Sequence, residues 1–575
     1  MGSIDDDRSN PPADAAVLDM SPWAPLRSRI FFALFIAQLV SNVGTLMQSV
    51  GAAWLIGDLG GTAAEVALVQ TMTFLPAFLV GIPAGALADV FDRRKVLLAT
   101  QASMLLSAAL MAVLTFGDFL APTGVLALTF MLGTGAAVMT PAWFAIQPDL
   151  VPKEHFAQAV SLSSMTYNVG RAIGPAIGGL IIAAAGPEWV FALNAVSFLG
   201  TAAVLAIWHP AARTAGRAPA ETLVGATVAG VRFSANSRLI RAVLMRVLLL
   251  FGAGAAIQAL LPIVVRGPLA WSSGGYGILL GCFGVGAAVS AVLRPQIVRF
   301  LHPDALLTVA SLTMAAALIV QGYVHNRLAV GIALLAAGFM WGLAAVATNV
   351  AAQSALPSWV RARGMALYSF VLAGSFAFGS ALCGFAANWD LSAAHLIAAI
   401  VMALSPIAAL RWPLTWDREF DLTMIPGTDP EIVITPDPED GPVLVSIPYR
   451  VPVDSLEEFG TLMEYLEGHR RRTGGYQWSL FRDLSDSEKF VENFLVSSWA
   501  EHLRQHHRHT AHADEHLRRV RRFVEPPGVS HYLSTATDGL LEGQDAQPRD
   551  DVDRAVGEDM PASATAPSPS TNSQP

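Results

Sequence analysis

The chain has 575 residues, 53% of them hydrophobic and only 14% charged, with 48 glycines and a formal net charge of -9. Soluble domains carry about 25% charged residues, so this composition points to a chain solvated largely by lipid. The two cysteines, Cys282 and Cys383, lie in apolar stretches and exclude a disulfide framework.

Residues 1–28 read as a cytoplasmic N-terminal segment. Its Asp5-Asp6-Asp7 run lacks the basic-then-apolar layout of a cleavable signal, so insertion is expected to rely on the first membrane helix. From Ile30 to Trp412 the sequence is a series of apolar stretches of roughly 18–25 residues, the length that crosses ~30 Å of hydrocarbon as a helix. Gly, Pro and charged breaks set twelve expected spans, near 30–56, 64–88, 96–116, 122–146, 162–185, 189–208, 239–265, 274–298, 304–323, 328–352, 363–386 and 391–410. The fold class expected is an all-α polytopic membrane protein, with six spans in 29–208 and six in 239–412, divided by a central cytoplasmic loop at 209–238.

Arginine and lysine placement orients the chain. With the N-terminus inside, cytoplasmic loops hold Arg93, Arg94, Lys95, Lys153, Arg232, Arg238 and others, and outside loops hold only Arg266 and Arg327. A bacterial inner-membrane, multi-pass protein with both termini cytoplasmic is therefore expected. The halves echo one another weakly: a shift of 205 positions lays Pro152 on Pro357, Gly174 on Gly379 and Gly179 on Gly384, as a parallel six-plus-six repeat requires.

A Pro- and Asp-rich linker, 413–440, leads to a soluble segment, 441–535. Strands are expected at Val443–Val451, Tyr476–Asp483, Phe490–Ser498 and Ser530–Leu533, with helices at Asp454–Arg471 and Trp499–Phe523. This βαββαβ order predicts an α+β ferredoxin-like sandwich. The tail, 536–575, has too little apolar surface to fold.

Three groups of residues carry candidate chemistry. Between spans two and three, Gly85, Asp89, Arg93 and Arg94 combine a close-packing glycine, an acid and guanidiniums that can form a charge latch, or can merely set topology. Within span five, Gly170, Gly174 and Gly178 fall on one helical face, Gly179 follows, and Pro175 frees a backbone carbonyl and bends the helix. Arg171 in that span either faces a cavity or snorkels to the cytoplasmic interface. In the soluble segment, His502, His506 and His509 share a helical face at metal-ligand spacing. No acid or cysteine completes that set, and Arg504, Arg508, Arg518 and Arg519 stand nearby, so a solvated basic helix near anionic lipid is the preferred reading and no metal is expected.

The loop motif resembles the major facilitator superfamily signature Gly-x-x-x-Asp-(Arg/Lys)-x-Gly-Arg-(Arg/Lys), with Val90 in place of the usual base and Asp92 in place of the usual glycine. The resemblance implies an inter-half cytoplasmic contact made by Asp89 and Arg93 towards the start of span eleven. The run Gly170–Gly179 is similar to Gly-x-x-x-Gly-Pro-x-x-Gly-Gly, the span-five signature of exporters in this superfamily, and with Arg171 it is similar to the enterobactin-exporter-like, or transmembrane secretion effector, group. The segment Trp499–His506 resembles the dimeric α+β barrel domains of the antibiotic-biosynthesis-monooxygenase type, which implies homodimerisation or ligand binding rather than a defined activity.

The function implied is secondary active export of a small molecule (drug, siderophore or other secondary metabolite) by alternating access, as a proton antiporter with the proton gradient as energy source and no cofactor. Polar residues that could line the path are Gln38, Asn42, Gln48, Asn168, Gln258, Asn349 and Gln353, each of which could equally make an interhelical hydrogen bond. The acids Asp58, Glu65 and Asp149 sit near span ends, with none at mid-membrane, so proton coupling follows from the resemblance alone. No Gly-x-x-x-x-Gly-Lys-(Ser/Thr) loop occurs, which disfavours an ATP-driven pump, and no catalytic set or nucleic-acid-binding domain stands out. The expected partners are the bilayer, the substrate and a second copy of the chain. The competing readings are a membrane-anchored enzyme or a ligand sensor whose C-terminal domain is the active part.

Overall fold

A computed structural model describes residues 21–208, 223–407, 411–414, 422–425, 430, 432–526 and 528–534, without the side chains of 82, 85–90, 153, 223, 224 and 226. The expected tail at 536–575, most of the N-terminal segment and residues 209–222 of the central loop lie outside the described residues.

The membrane body is built from α1 (Arg29–Asp58), α2 (Ala63–Val90), α3 (Arg93–Phe116), α4 (Pro122–Leu150), α5 (Phe156–Ala185) and α6 (Pro187–Ile207), then α8 (Arg238–Ala259) with its short continuation α9 (Leu261–Arg266), α10 (Ser273–Ile297), α11 (Pro303–Tyr323), α12 (Arg327–Ser354), α13 (Arg361–Ala387) and α14 (Leu391–Leu404). Eleven of the described stretches, counting α8 and α9 as one, are long and apolar enough to cross a membrane, and α14 is a shorter apolar helix of 14 residues. Proline opens α4, α6 and α11, where its missing N–H costs nothing. Between α5 and α6 the chain reverses through Gly186 alone, at φ +104°, a conformation suited to glycine.

Two differences from expectation in the membrane body bear on function. Span five begins at Phe156, six residues before the position read from sequence, because Phe156–Ser161, with Gln158 and Ser161 as its polar residues, is already helical. The central loop contains a fourteen-residue helix, α7 (Leu223–Asn236), which packs against both the start of α13 and the C-terminal domain.

The halves repeat one another in contact as well as in order. Gly174 of α5 packs on α1 at Val43 and Leu46, and Gly379 of α13 packs on Gly252 of α8. Gly179 packs on α10 at Ser273 and Gly277, and Gly384 packs on α2 at Ala64 and Ala67. Positions 205 residues apart thus meet equivalent neighbours: one pair within a half, the other across the two halves.

The C-terminal domain contains β1 (Val443–Arg450), α15 (Leu456–Thr473), β2 (Tyr476–Arg482), β3 (Lys489–Val496), α16 (Trp499–His506), α17 (Ala511–Arg521) and β4 (Ser530–Leu533). The helix expected over Trp499–Phe523 is two helices, because Thr510 starts a new one by accepting a hydrogen bond from Ala513 N at 3.3 Å. The sheet is antiparallel in the order β2-β3-β1-β4. Alternation along β1 turns Val443, Val445, Ile447 and Tyr449 towards α15 and α17, where Phe459, Leu466 and Phe494 complete the core. Part of the linker also pairs with the domain: Met424 bridges Thr510, and Ile425 N donates to His509 O.

Candidate transport site

Helix α5 uses its small residues on two faces. Gly170, Gly174 and Gly178 lie against Asn42, Val43, Leu46 and Met47 of α1, within the first half. Gly179 faces the other half: a Cβ there would sit 2.6 Å from the Ser273 carbonyl oxygen and 2.8 Å from Gly277 Cα. Gly277 in turn lies under the Pro175 carbonyl, where a Cβ would come to 2.6 Å, and Gly284 lies against the Arg171 carbonyl. Backbones this close exclude any side chain, the packing that small residues permit in lipid.

Arg171 leads from this seam to an aromatic cluster in the second half. Its guanidinium carbon lies 5.7 Å from the Phe283 ring centre and 5.8 Å from that of Trp341, within the range of cation–π attraction. Trp341 also packs edge-on against Phe251 at 4.8 Å and lies 5.3 Å from Phe376. Among the described residues, no carboxylate comes within ion-pairing distance of Arg171.

The polar candidates separate into groups. Gln38 donates to Asn42 Oδ1 at 3.1 Å, and Asn42 donates to Thr166 Oγ1 at 2.9 Å, a chain from α1 to α5. Gln38 also lines a small cavity of about 10 Å³ with Phe31, Trp143 and Gln147. Asn168 is exposed and donates back to Ser164 O at 3.1 Å, and Gln353 donates to Asn349 Oδ1 at 2.6 Å near the end of α12. Gln258 is half-buried in α8. Gln48 does not line a path: it is buried, accepts from Asn194 Nδ2 of α6 and donates to Met111 Sδ of α3 at 3.5 Å.

The loop motif also takes a different form from the one implied. Arg93 donates to Ala145 O at 3.0 Å, and Arg94 donates to Leu205 O at 3.0 Å and to Ala206 O. Arg93 thus binds a carbonyl of α4 about one and a half turns before its end, and Arg94 the last turn of α6, both in their own half, and Arg93 does not reach span eleven. Helix C-termini offer unpaired carbonyls and the negative end of the dipole, which attract guanidinium groups. Asp92 accepts from Lys95 N at 3.0 Å and caps α3, which accounts for an acid in place of glycine. The side chain of Asp89 and the surroundings of Gly85 lie outside the described residues.

The face remote from the C-terminal domain is closed. Asp58 pairs with Arg266 at 2.8 Å, Arg266 stacks 4.3 Å from the Trp54 ring centre, and Ala64 N donates to Asn388 Oδ1 at 2.9 Å. Glu65 accepts from Thr62 N at 2.7 Å and completes a capping box for α2. On the opposite side the structure contains a pair the sequence reading missed. Arg246, its side chain 4% exposed, binds Asp304 Oδ1 at 2.6 Å, and Asp304 Oδ2 accepts from Leu414 N at 3.0 Å. A signal was available, since Arg246 extends the basic face of Arg238 by two helical turns.

In the C-terminal domain a fully buried carboxylate, Glu492, accepts from Tyr449 Oη at 2.7 Å, Arg470 Nε at 3.1 Å and Trp478 Nε1 at 2.9 Å. Burial and the Glu492 charge push the Tyr449 hydroxyl well above its usual range. Glu501 binds Arg508 at 2.7 Å, Arg504 at 3.0 Å and, from α7, Arg232 at 2.5 Å. Burial raises the Glu501 carboxyl, but these guanidiniums outweigh it and hold the group at about 2. Arg508 also stacks 4.4 Å from the ring centre of Trp359, just before α13, so one ion cluster joins the domain to the membrane body. Burial and neighbouring positive charge lower His502 to about 3 and His509 to about 4.

Two helical halves with repeated packing, tight glycine contacts between them and an arginine–aromatic cluster beside that seam define a major facilitator transporter. The sequence matches the transmembrane secretion effector family over residues 20–539, and the chain belongs to that family. It is a multi-pass membrane protein and a secondary transporter that exports small molecules. It is 26% identical to the staphyloferrin A transporter of Staphylococcus aureus, over 46% of this chain and 67% of that one. It is also 26% identical to the enterobactin exporter EntS of Citrobacter koseri, over 62% of this chain and 84% of that one. A bacterial homologue of the iron transporter ferroportin, solved in an inward-facing state, shares the fold, with a TM-score of 0.54 at 15% identity over 67% of this chain and 98% of that one.

Proposed function

We propose that this chain exports an anionic metal-chelating small molecule of the siderophore class, driven by a proton gradient, with both termini in the cytoplasm. The observation that carries the substrate class is Arg171, a guanidinium without a carboxylate partner among the described residues, set beside the Phe283 and Trp341 rings at the inter-half seam. A flat, aromatic anion would find a charge and two ring faces there. The relatives named for staphyloferrin A and enterobactin support the same class.

In this reading α14 is the described part of a twelfth crossing. Its support is positional: Leu414 meets Asp304 at the start of α11, on the side where α7 meets the C-terminal domain, as an even number of crossings requires. The arginine and lysine asymmetry makes that side cytoplasmic. The closed Asp58–Arg266 face is then the outer gate, and the conformation is inward-open. The strand order β2-β3-β1-β4 with helices on one face supports a ferredoxin-like domain, and a second copy would cover the opposite face around Leu444, Val491 and Leu495. Docked through Glu501, the domain regulates export rather than carrying out a reaction of its own.

The test is efflux of a radiolabelled catecholate siderophore from proteoliposomes, with and without an imposed pH gradient. The reading expects gradient-dependent efflux that Arg171→Met abolishes and Arg171→Lys weakens. Normal transport by both variants would remove the anion-contact role.

A further inference from the structure

We propose that the C-terminal domain binds a divalent transition-metal ion through His502, His506 and His531. The three residues come from two separate elements: His502 and His506 lie one turn apart on α16, and His531 lies on β4. One ring nitrogen from each lies within 4.8 Å of the others. His502 Nε2 and His506 Nε2 are 3.2 Å apart. Two imidazole nitrogens bound to one tetrahedral zinc ion, each ~2.0–2.1 Å from it, are separated by about 3.3 Å, so this pair already stands at ligand spacing.

Three further observations point to a ligand. His502, 2% exposed, has a buried Nδ1 without a hydrogen-bond partner, and His531 has a buried Nε2 in the same condition. Buried polar atoms are nearly always satisfied, and both atoms are suited to a metal or to the partners of a metal-bound ring. All three histidines line one cavity of about 120 Å³ between the sheet and the helices, which leaves room for a fourth ligand such as water. The arginines that argued against a cation in the sequence are each committed to a carboxylate: Arg504 and Arg508 to Glu501, Arg518 to Asp514 and Arg519 to Glu458. Arg470, which lines the same cavity, is paired with Glu492. His509, which shares a face with 502 and 506 in sequence, instead meets His469 at 3.3 Å. The site therefore uses the strand histidine in place of the helix one.

Three imidazoles without thiolate or carboxylate suit zinc, cobalt, nickel or copper rather than calcium or magnesium. The test is titration of the full-length protein, purified in detergent and stripped with chelator, with cobalt(II), followed by the d–d absorption of the bound ion and by metal analysis. The expected result is one equivalent per chain with a four-coordinate spectrum, displaced by zinc. His506→Ala and His531→Asn should each weaken binding by at least about a hundredfold, more than the loss of an outer-shell partner. His507→Ala, an exposed neighbour, should bind as the unaltered protein does. Equal binding by the His506 and His531 variants, or the absence of the cobalt spectrum, overturns the proposal. Should a variant unfold, the unaltered chain decides: its thermal transition must rise with zinc and fall with chelator, and no shift overturns the site. None of these readouts depends on transport, so failure here is distinguishable from failure of the export reading.

Discussion

The membrane body and the C-terminal domain are held together by opposite means. In the body the critical contacts are made by the absence of side chains, as at Gly179 and Gly277, where two backbones from different halves touch. In the domain they are made by large and charged groups: Phe459 and Phe494 in the core, and Glu492 with three donors. Lipid already solvates apolar side chains, so helices in it gain by close approach and good packing rather than by removing surface from water. The domain, facing water, gains from apolar burial, and the charge it buries must be fully hydrogen-bonded.

The contrast can be broken at several points. Glu492→Ala leaves Arg470 buried without its counter-ion and should destabilise the domain by about 3–5 kcal/mol. Faster hydrogen exchange across β1 and β3, with the membrane helices unaffected, would show it. Gly179→Leu forces a side chain into the Ser273 carbonyl. Overpacking of ~1–3 kcal/mol disfavours this closed contact between the halves and should slow efflux about tenfold in proteoliposomes; unchanged efflux would mean that this seam opens without cost.

Acidification separates the two regions, because the domain packs His469 and His509 against each other away from water, whereas the body buries a single described histidine, His395. Burial, then the charges of His509 and Arg470, keep His469 well below its ordinary 6.5, and His509 sits at about 4. The unfolded chain therefore takes up these protons before the folded one does. Stability is full above pH 6.5 and falls as pH drops below it, as the unfolded chain takes up protons that the folded domain refuses. Hydrogen exchange in residues 456–521, corrected for intrinsic rates, should rise between about pH 7 and 5. Arg232→Ala should loosen docking by about 1 kcal/mol, since Arg508 and Arg504 still hold Glu501. Protection of α7 would then fall while that of the domain core stays. Gly460→Ala, where a Cβ meets nothing within 4 Å, should raise the melting temperature slightly, the reverse of Gly179→Leu.

Much of the body was legible because lipid imposes a length and a charge rule on each span. Pro152 and Pro357, which precede α5 and α13, and the glycine pairs 205 residues apart encoded the repeat directly. The polar residues were less legible, since sequence carries no information on which face of a helix meets a neighbour. Gln48 reads like Gln38, yet one is consumed by Asn194 and the other joins a chain to α5. Arg93 was assigned a distant partner when a nearer helix carbonyl satisfied it. His531 and Arg232 were invisible for a different reason: their partners are 29 and 269 residues away, and only the folded chain brings them together.

The anchors of the C-terminal domain sit on the second half: Arg232 lies on α7, which packs on α13, Trp359 precedes α13, and Leu414 of the linker meets Asp304 of α11. When one half rocks against the other, an object fixed to the end of the second half must travel with it as a passenger. Relative to the first half it sweeps an arc wider than the displacement of the helices that drive it. A pair of dyes, one on the domain and one on the loop after α4, would therefore magnify the transport cycle into a distance large enough to follow one molecule at a time.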